Sequence, residues 1–282
     1  MNKLKIKVIV LTLLLSLVIS PTVYAKNYTA KNFKEYTEFL LRGMSDYKEV
    51  ITIHYLGNEK FLKTEIGSQL HKLYNESAQN LSTFDKQNIY SIRMLSAEQP
   101  VGKKQLLRIA QYEIQYKNSA QELQEVDLIV NDVLKQITAA CQNDYKTIEA
   151  IYNYVLKTYR YEKMAVDDTD TENILLERNL LNGLKGTNGV VCDAYVMLLS
   201  KMLTAKEIEN VIVMGTAYGE LHVWNKVKLN GNWYNIDPTW GDSIYSENKA
   251  KYFLTSDQVL LHNGRVWHES DYPASPNSYT IY

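Results

Sequence analysis

Leu221-His222-Val223-Trp224-Asn225-Lys226-Val227-Lys228-Leu229-Asn230-Gly231-Asn232-Trp233-Tyr234-Asn235-Ile236-Asp237-Pro238-Thr239-Trp240 is the stretch on which the reading of this chain turns. Alternation from Leu221 to Leu229 sets Leu221, Val223, Val227 and Leu229 on one face of a strand. His222, Trp224, Lys226 and Lys228 fall on the other. Asn225 is a polar exception on the apolar face, which predicts a specific hydrogen bond for its amide. Asn230-Gly231 is a strong two-residue hairpin signal, because both residues tolerate positive φ. Without a bulge, Leu229 then faces Asn232, and the pairing runs on to Trp224 opposite Asp237 and His222 opposite Thr239. Asp237 becomes the diagonal neighbour of His222 on one face of the ribbon. Tyr234 and Ile236 join Val223 and Val227 on the buried face. A single register thus pairs an imidazole with a carboxylate.

A second stretch, Gly189-Val190-Val191-Cys192-Asp193-Ala194-Tyr195, lies upstream. Gly183, Gly186 and Gly189 break the chain, and Tyr195, Leu198, Leu199, Met202 and Leu203 then show helical spacing. Cys192 is therefore expected in the first turn of a helix, where unpaired N–H groups favour negative charge and a lowered thiol pKa. On that segment alone a buried apolar cysteine is an equal reading. Together with His222 and Asp237 the thiol makes a catalytic set: nucleophile, proton-carrying base and the acid that orients it. The same three side chains are legal zinc ligands, but no paired Cys-x-x-Cys or His-x-x-x-His accompanies them, and no metal or cofactor is expected. Trp224, Asn225 and Trp240 flank the set and are candidate substrate-pocket residues; ordinary packing explains the tryptophans equally well. His54, His71, His262 and His268 have no comparable partners and are expected to be structural or exposed.

Gly-x-x-Cys at 189–192, His-x-Trp-Asn at 222–225 and Trp-Tyr-x-x-Asp-Pro-Thr-Trp at 233–240 resemble the transglutaminase-like superfamily, in particular its bacterial secreted branch. Asp144 to Tyr154 resembles the helix that precedes that core, so the likeness covers roughly residues 120 to 260. The resemblance implies an α+β fold with a papain-like core, a helix-borne cysteine packed on an antiparallel sheet. It implies Cys192 as nucleophile, His222 as base and Asp237 as orienting acid. It also implies amide chemistry through a thioester, as a peptidase, a deamidase or a cross-linking acyltransferase. The cross-linking members carry Gln-Cys-Trp where this chain has Val191-Cys192-Asp193, so no side-chain oxyanion donor is carried over. The Cys192 backbone N–H is one candidate donor, and the second is unassigned. The rival expectation is a catalytically silent cell-surface binding protein that keeps the fold.

The 282 residues divide into three expected parts. Residues 1–25 read as a signal peptide: Lys3, Lys5 and Lys7, an apolar run from Val8 to Ile19, then Val23-Tyr24-Ala25 with cleavage after Ala25. A secreted or cell-surface location follows, with no membrane span after cleavage. Residues 26–117 read as a small α+β module of unknown role, with helices at Phe33–Met44 and 61–74 and strands at Glu49–Leu56, Ile89–Leu95 and Gln105–Tyr116. Residues 118–282 form the expected catalytic domain, opening with helices at Ala120–Cys141 and Tyr145–Tyr159. The acidic stretch 167–172 lacks the pattern of a calcium loop and reads as solvated. Lys and Arg total 31 against 32 Asp and Glu, a balance that argues against a nucleic-acid partner. The expected partner is a protein or peptide substrate, one associated with the cell wall included. Cys141 and Cys192 could pair in an oxidising compartment, but their settings favour two free thiols.

Overall fold

The computed structural model describes residues 27–58, 80–101, 105–162, 176–242 and 246–280. The signal segment, the helix expected at 61–74, His71 and the acidic loop at 167–172 lie outside them.

The first sheet has the order β1-β2-β4-β3. Strand β1 (Asn27–Ala30) runs parallel to β2 (Val50–Asn58), which pairs antiparallel with β4 (Gln105–Tyr116), and β4 with β3 (Ile89–Val101). Helix α1 (Phe33–Ser45) starts at Asn32, whose side chain accepts the Glu35 N–H at 2.9 Å. Gly43 lets this helix lie close on the sheet, since a Cβ there would meet Ile51 Cδ1 at 2.5 Å. Tyr36, Leu40, Met44, Ile51, Ile53, Tyr112 and Ile114 fill the space between, and the Tyr36 and Tyr112 hydroxyls hydrogen-bond at 2.8 Å. Helix α2 (Thr83–Asn88) leads into β3.

The second unit is helices on an antiparallel sheet. Helix α3 (Ala120–Ile137) opens with a capping box of Ser119 and Glu122 and stops short of the expected Cys141, where the Thr138 hydroxyl caps the Leu134 carbonyl at 2.7 Å. Asn143 caps α4 (Asp144–Thr158). After a short α5 (Leu180–Leu184) comes α6 (Cys192–Ala205), the central helix, with Ala194 to Ser200, Met202 and Leu203 all buried. It packs against α3, α4 and a sheet of order β7-β6-β5-β8. That sheet comprises β5 (Asn210–Ala217), β6 (Glu220–Leu229), β7 (Asn232–Ile236) and β8 (Arg265–Trp267).

The hairpin between β6 and β7 has the expected turn, with φ of 51° at Asn230 and 81° at Gly231. Its register is also the expected one, Leu229 facing Asn232 through to Asn225 facing Ile236. There the ladder ends. Asp237 caps a short helix α7 (Pro238–Gly241), so Thr239 is not a strand partner of His222. An Asp-Pro pair suits the N-cap and N1 of a helix better than the middle of a ladder. The face expected to be polar is buried as well: Trp224 and Lys226 lie beneath α8 (Asp257–His262) and the chain that follows β8. Lys226 Nζ is held by Asp257 Oδ1 at 2.7 Å and the Pro273 carbonyl at 2.6 Å. Leu221 departs in the other direction, being 91 % exposed at the open end of the strand.

Candidate active site

Cys192 is the first residue of α6, which runs along β6 from Val223 towards Asn225. No side chain caps this helix start, because the preceding residue is Val191. The helix is fixed to the strand by Asn225, whose Nδ2 donates to the Val196 carbonyl at 3.1 Å. That is the specific hydrogen bond expected of it. Beyond the end of the β6–β7 ladder, the Val223 backbone lies near the Cys192 sulfur and favours its thiolate. Cys192 thus sits beside the residue that follows His222.

His222 Nε2 lies 2.9 Å from Asp237 Oδ2, and both side chains are buried. The pair forms at the strand end because β6 and β7 keep register up to Ile236 and Asp237 then points back across the gap. Asp237 is enclosed by donors. Oδ2 also accepts from Arg265 Nη2 at 2.9 Å, and Oδ1 accepts the Trp240 N–H at 3.2 Å. Burial alone would raise this carboxyl, but His222 and Arg265 together hold it below its usual range. An ionised Asp237 requires the hydrogen on His222 Nε2, which leaves Nδ1 as the basic nitrogen.

The sequence gives no warning of Arg265. It is fully buried, its guanidinium carbon sits 4.4 Å from the Trp240 ring centre and 4.5 Å from that of Tyr252, and Nη1 donates to the Asn263 carbonyl at 2.9 Å. The inward alternation of Arg265 and Trp267 in a three-residue strand was the available signal, too short to separate from a loop.

The thiol departs from expectation. Burial and the neighbouring Asp193 carboxylate push Cys192 up to about 12, against the Val223 backbone and Lys117, which act the other way. Helix-end N–H groups favour a thiolate only weakly when the sulfur has lost its water and faces a carboxylate. Cys192 is therefore a neutral thiol at rest. Both cysteines are free, Cys141 lying near the Ile137 carbonyl at the end of α3.

Two of the three expected pocket residues need correction. Trp224 and Asn225 are wholly buried, the first under Trp267 and the second under α6, so neither presents surface to a substrate. Trp224 instead backs His222, with rings 6.0 Å apart and near parallel, and its Nε1 donates to Asn235 Oδ1 at 3.0 Å. Trp240 is partly exposed and stands edge-on to His222 at 6.5 Å. His262 and His268 are exposed and His54 is half-buried. Among the described residues no group of three or more His, Cys, Asp or Glu could hold a metal ion.

Residues 131–238 match the family model of the transglutaminase-like superfamily. The chain is 24 % identical over 161 residues to the kyphoscoliosis peptidase of Mus musculus, and 25 % over 165 residues to that of Homo sapiens. These alignments cover 52 % and 54 % of this chain but only 24 % of each relative, so the chain spans about a quarter of their length. A solved crystal structure of a TGase aligns with 76 % of this chain and 59 % of its own, at 15 % identity and a TM-score of 0.37.

Proposed function

We propose, from the premise that this chain carries a transglutaminase-like core, that it is a cysteine enzyme acting on amide bonds through a thioester on Cys192. The observation that carries this reading is the buried contact of His222 Nε2 with Asp237 Oδ2, beside a helix-start cysteine. As the sulfur attacks the amide carbon, its proton passes to His222 Nδ1. The C–N bond then breaks, the proton leaves with the amine, and an acyl group remains on sulfur. Water or a second amine next attacks the thioester, losing its proton to His222 and restoring the thiol. Asp237 stabilises the imidazolium in both halves. The uncapped start of α6 supplies N–H groups, the Cys192 N–H first, for the oxyanion. A raised thiol pKa fits this order of events, with proton transfer accompanying attack in place of a preformed ion pair.

The substrate is proposed to be a protein or peptide. Support comes from a row across the open end of the second sheet, exposed Leu221 and Val266 with half-buried Thr216 between them in register. Exposed Tyr218 continues it to Trp240, 5.6 Å between ring centres. Export is proposed on the lysine-led apolar segment before Ala25, and N-terminal sequencing of the secreted chain checks it. Among the described residues no helix is long and apolar enough to cross a membrane.

The test is incubation with a glutamine-containing peptide, with and without a labelled amine, for wild type and Cys192→Ala. Ammonia release alone marks a deamidase, amine incorporation a cross-linker, and shortened peptide a peptidase. Each should vanish in Cys192→Ala. Activity in none of the three favours the silent binding protein.

A further inference from the structure

The first unit touches the nucleophile's immediate neighbour. Lys117 follows β4 directly, and its Nζ is ion-paired with Asp193 Oδ2. Gln87, on α2 and almost fully buried, donates from Nε2 to the other oxygen, Oδ1, at 2.8 Å. That same Oδ1 lies 3.9 Å from Cys192 Sγ.

We propose that the N-terminal unit is part of the catalytic apparatus, with Lys117 and Gln87 as positioning residues that hold the Asp193 carboxylate and govern the charge facing the Cys192 sulfur. The inference rests on Cys192 being the nucleophile. A carboxylate next to a sulfur that must become negative during attack works against the reaction unless a cation offsets it. Lys117 is placed to do so, and both partners are mostly shielded from water, at 16 % and 23 % exposure, where screening is weak.

Hydrogen bonds join the two units at this point. The Lys117 N–H donates to the Asn88 carbonyl at 2.7 Å, and the Asn118 N–H to Asn88 Oδ1 at 2.9 Å. Asn118 Oδ1 in turn accepts the Leu180 N–H at 3.0 Å, and Asn179 Nδ2 donates to Glu122 Oε1 at 2.9 Å. On the far side of α2, the Ile212 N–H of β5 donates to Thr83 Oγ1 at 2.9 Å. Helix α2 is thus clamped between the two sheets, with Gln87 aimed at the start of α6. Among the described residues, the charged and titratable groups around the sulfur include Asp193 on its own helix, Lys117 from the first unit, Asp237 with its partner His222, and Tyr161 after α4. Asp193 and Asp237 oppose a negative sulfur; Lys117 favours it.

The experiment is alkylation of Cys192 by iodoacetamide against pH in the full chain, read by peptide mass so that Cys141 is counted separately. Lys117→Met should slow alkylation by about tenfold and move the profile up by about one pH unit, the equivalence expected for a single pKa unit. Asp193→Asn should speed it, and the double variant should return to the wild-type rate or above. Lys117→Arg, which keeps the charge, should stay within about twofold of wild type. An unchanged Lys117→Met profile overturns the proposal, as does a double variant as slow as Lys117→Met, the pattern of a merely structural loss. If Lys117→Met fails to fold, Asp193→Asn decides: alkylation no faster than wild type counts against the proposal. The readout needs no turnover, so the cycle can succeed in a protein that proves catalytically silent, and a flat cycle in an active enzyme refutes only this inference.

Discussion

Asp237 Oδ2 accepts from His222 and Arg265 at the same 2.9 Å, so the carboxylate that orients the imidazole is itself anchored by a guanidinium. Removing Arg265 would leave a buried carboxylate short of a partner, and such losses cost about 3–5 kcal/mol. Arg265→Met is therefore expected to lower thermal stability by that amount, measured by calorimetry or denaturant titration. Arg265→Lys should recover only part, since lysine lacks the fork that reaches Asp237 and Asn263 and the flat face between Trp240 and Tyr252. Cys192 calls for a second residue-scale expectation. With its thiol pushed up to about 12, alkylation should climb steadily through alkaline pH with no plateau near neutrality. A plateau at neutral pH would show a preformed thiolate. His222 and Asp237 were legible because two residues capable of positive φ fix a register; Arg265 was not, because its partner is distant in sequence.

At the scale of elements, the β6–β7 hairpin carries the site. Strand side chains alternate, so a one-residue slip turns His222 away from Asp237. Inserting one alanine between Asn230 and Gly231 should lower turnover by about a hundredfold or more, as misplacement by an ångström can do. Insertion of two residues, which preserves facing, should cost far less, and peptide turnover distinguishes them. Alternation and turn chemistry made β6, the turn and most of β7 readable from the chain. The strand ends at Ile236 and does not run past Pro238, because Asp237 and Pro238 start a helix. Burial of both faces was also hidden, since Lys226 and Trp224 read as a wet face until Asp257 and Trp267 arrive from later in the chain.

Across the whole molecule, buried hydroxyls set the alkaline limit. Burial is the main cause of raised pKa values at Tyr36, Tyr47, Tyr112 (to about 12), Tyr152, Tyr159 and Tyr195, and Cys192 joins them. Their folded pKa values lie above the unfolded ones, so the folded state holds more protons and stability falls as pH rises past the unfolded values. The loss should begin near pH 9 with the thiol and steepen above about 10, each group adding up to about 1.4 kcal/mol per pH unit. Urea titrations from pH 7 to 11 measure it; a flat profile would contradict the burial of these groups. The core from Tyr28 to Tyr116 and the core built around α6 follow from helical and strand spacing in the chain. The bridge between them through Gln87, Asn88 and Lys117 does not, because it is polar and pairs residues far apart in sequence. The central claim, an acyl group carried by Cys192, is tested most directly by acid-quenching the protein with a glutamine-containing peptide and weighing the intact chain. A mass increase equal to the peptide less the amine that leaves (ammonia from a glutamine side chain, the C-terminal fragment from a cut backbone), located on Cys192 and absent from Cys192→Ala and His222→Ala, is the predicted result. Peptide turnover with no such adduct, or an adduct that survives Cys192→Ala, would contradict it.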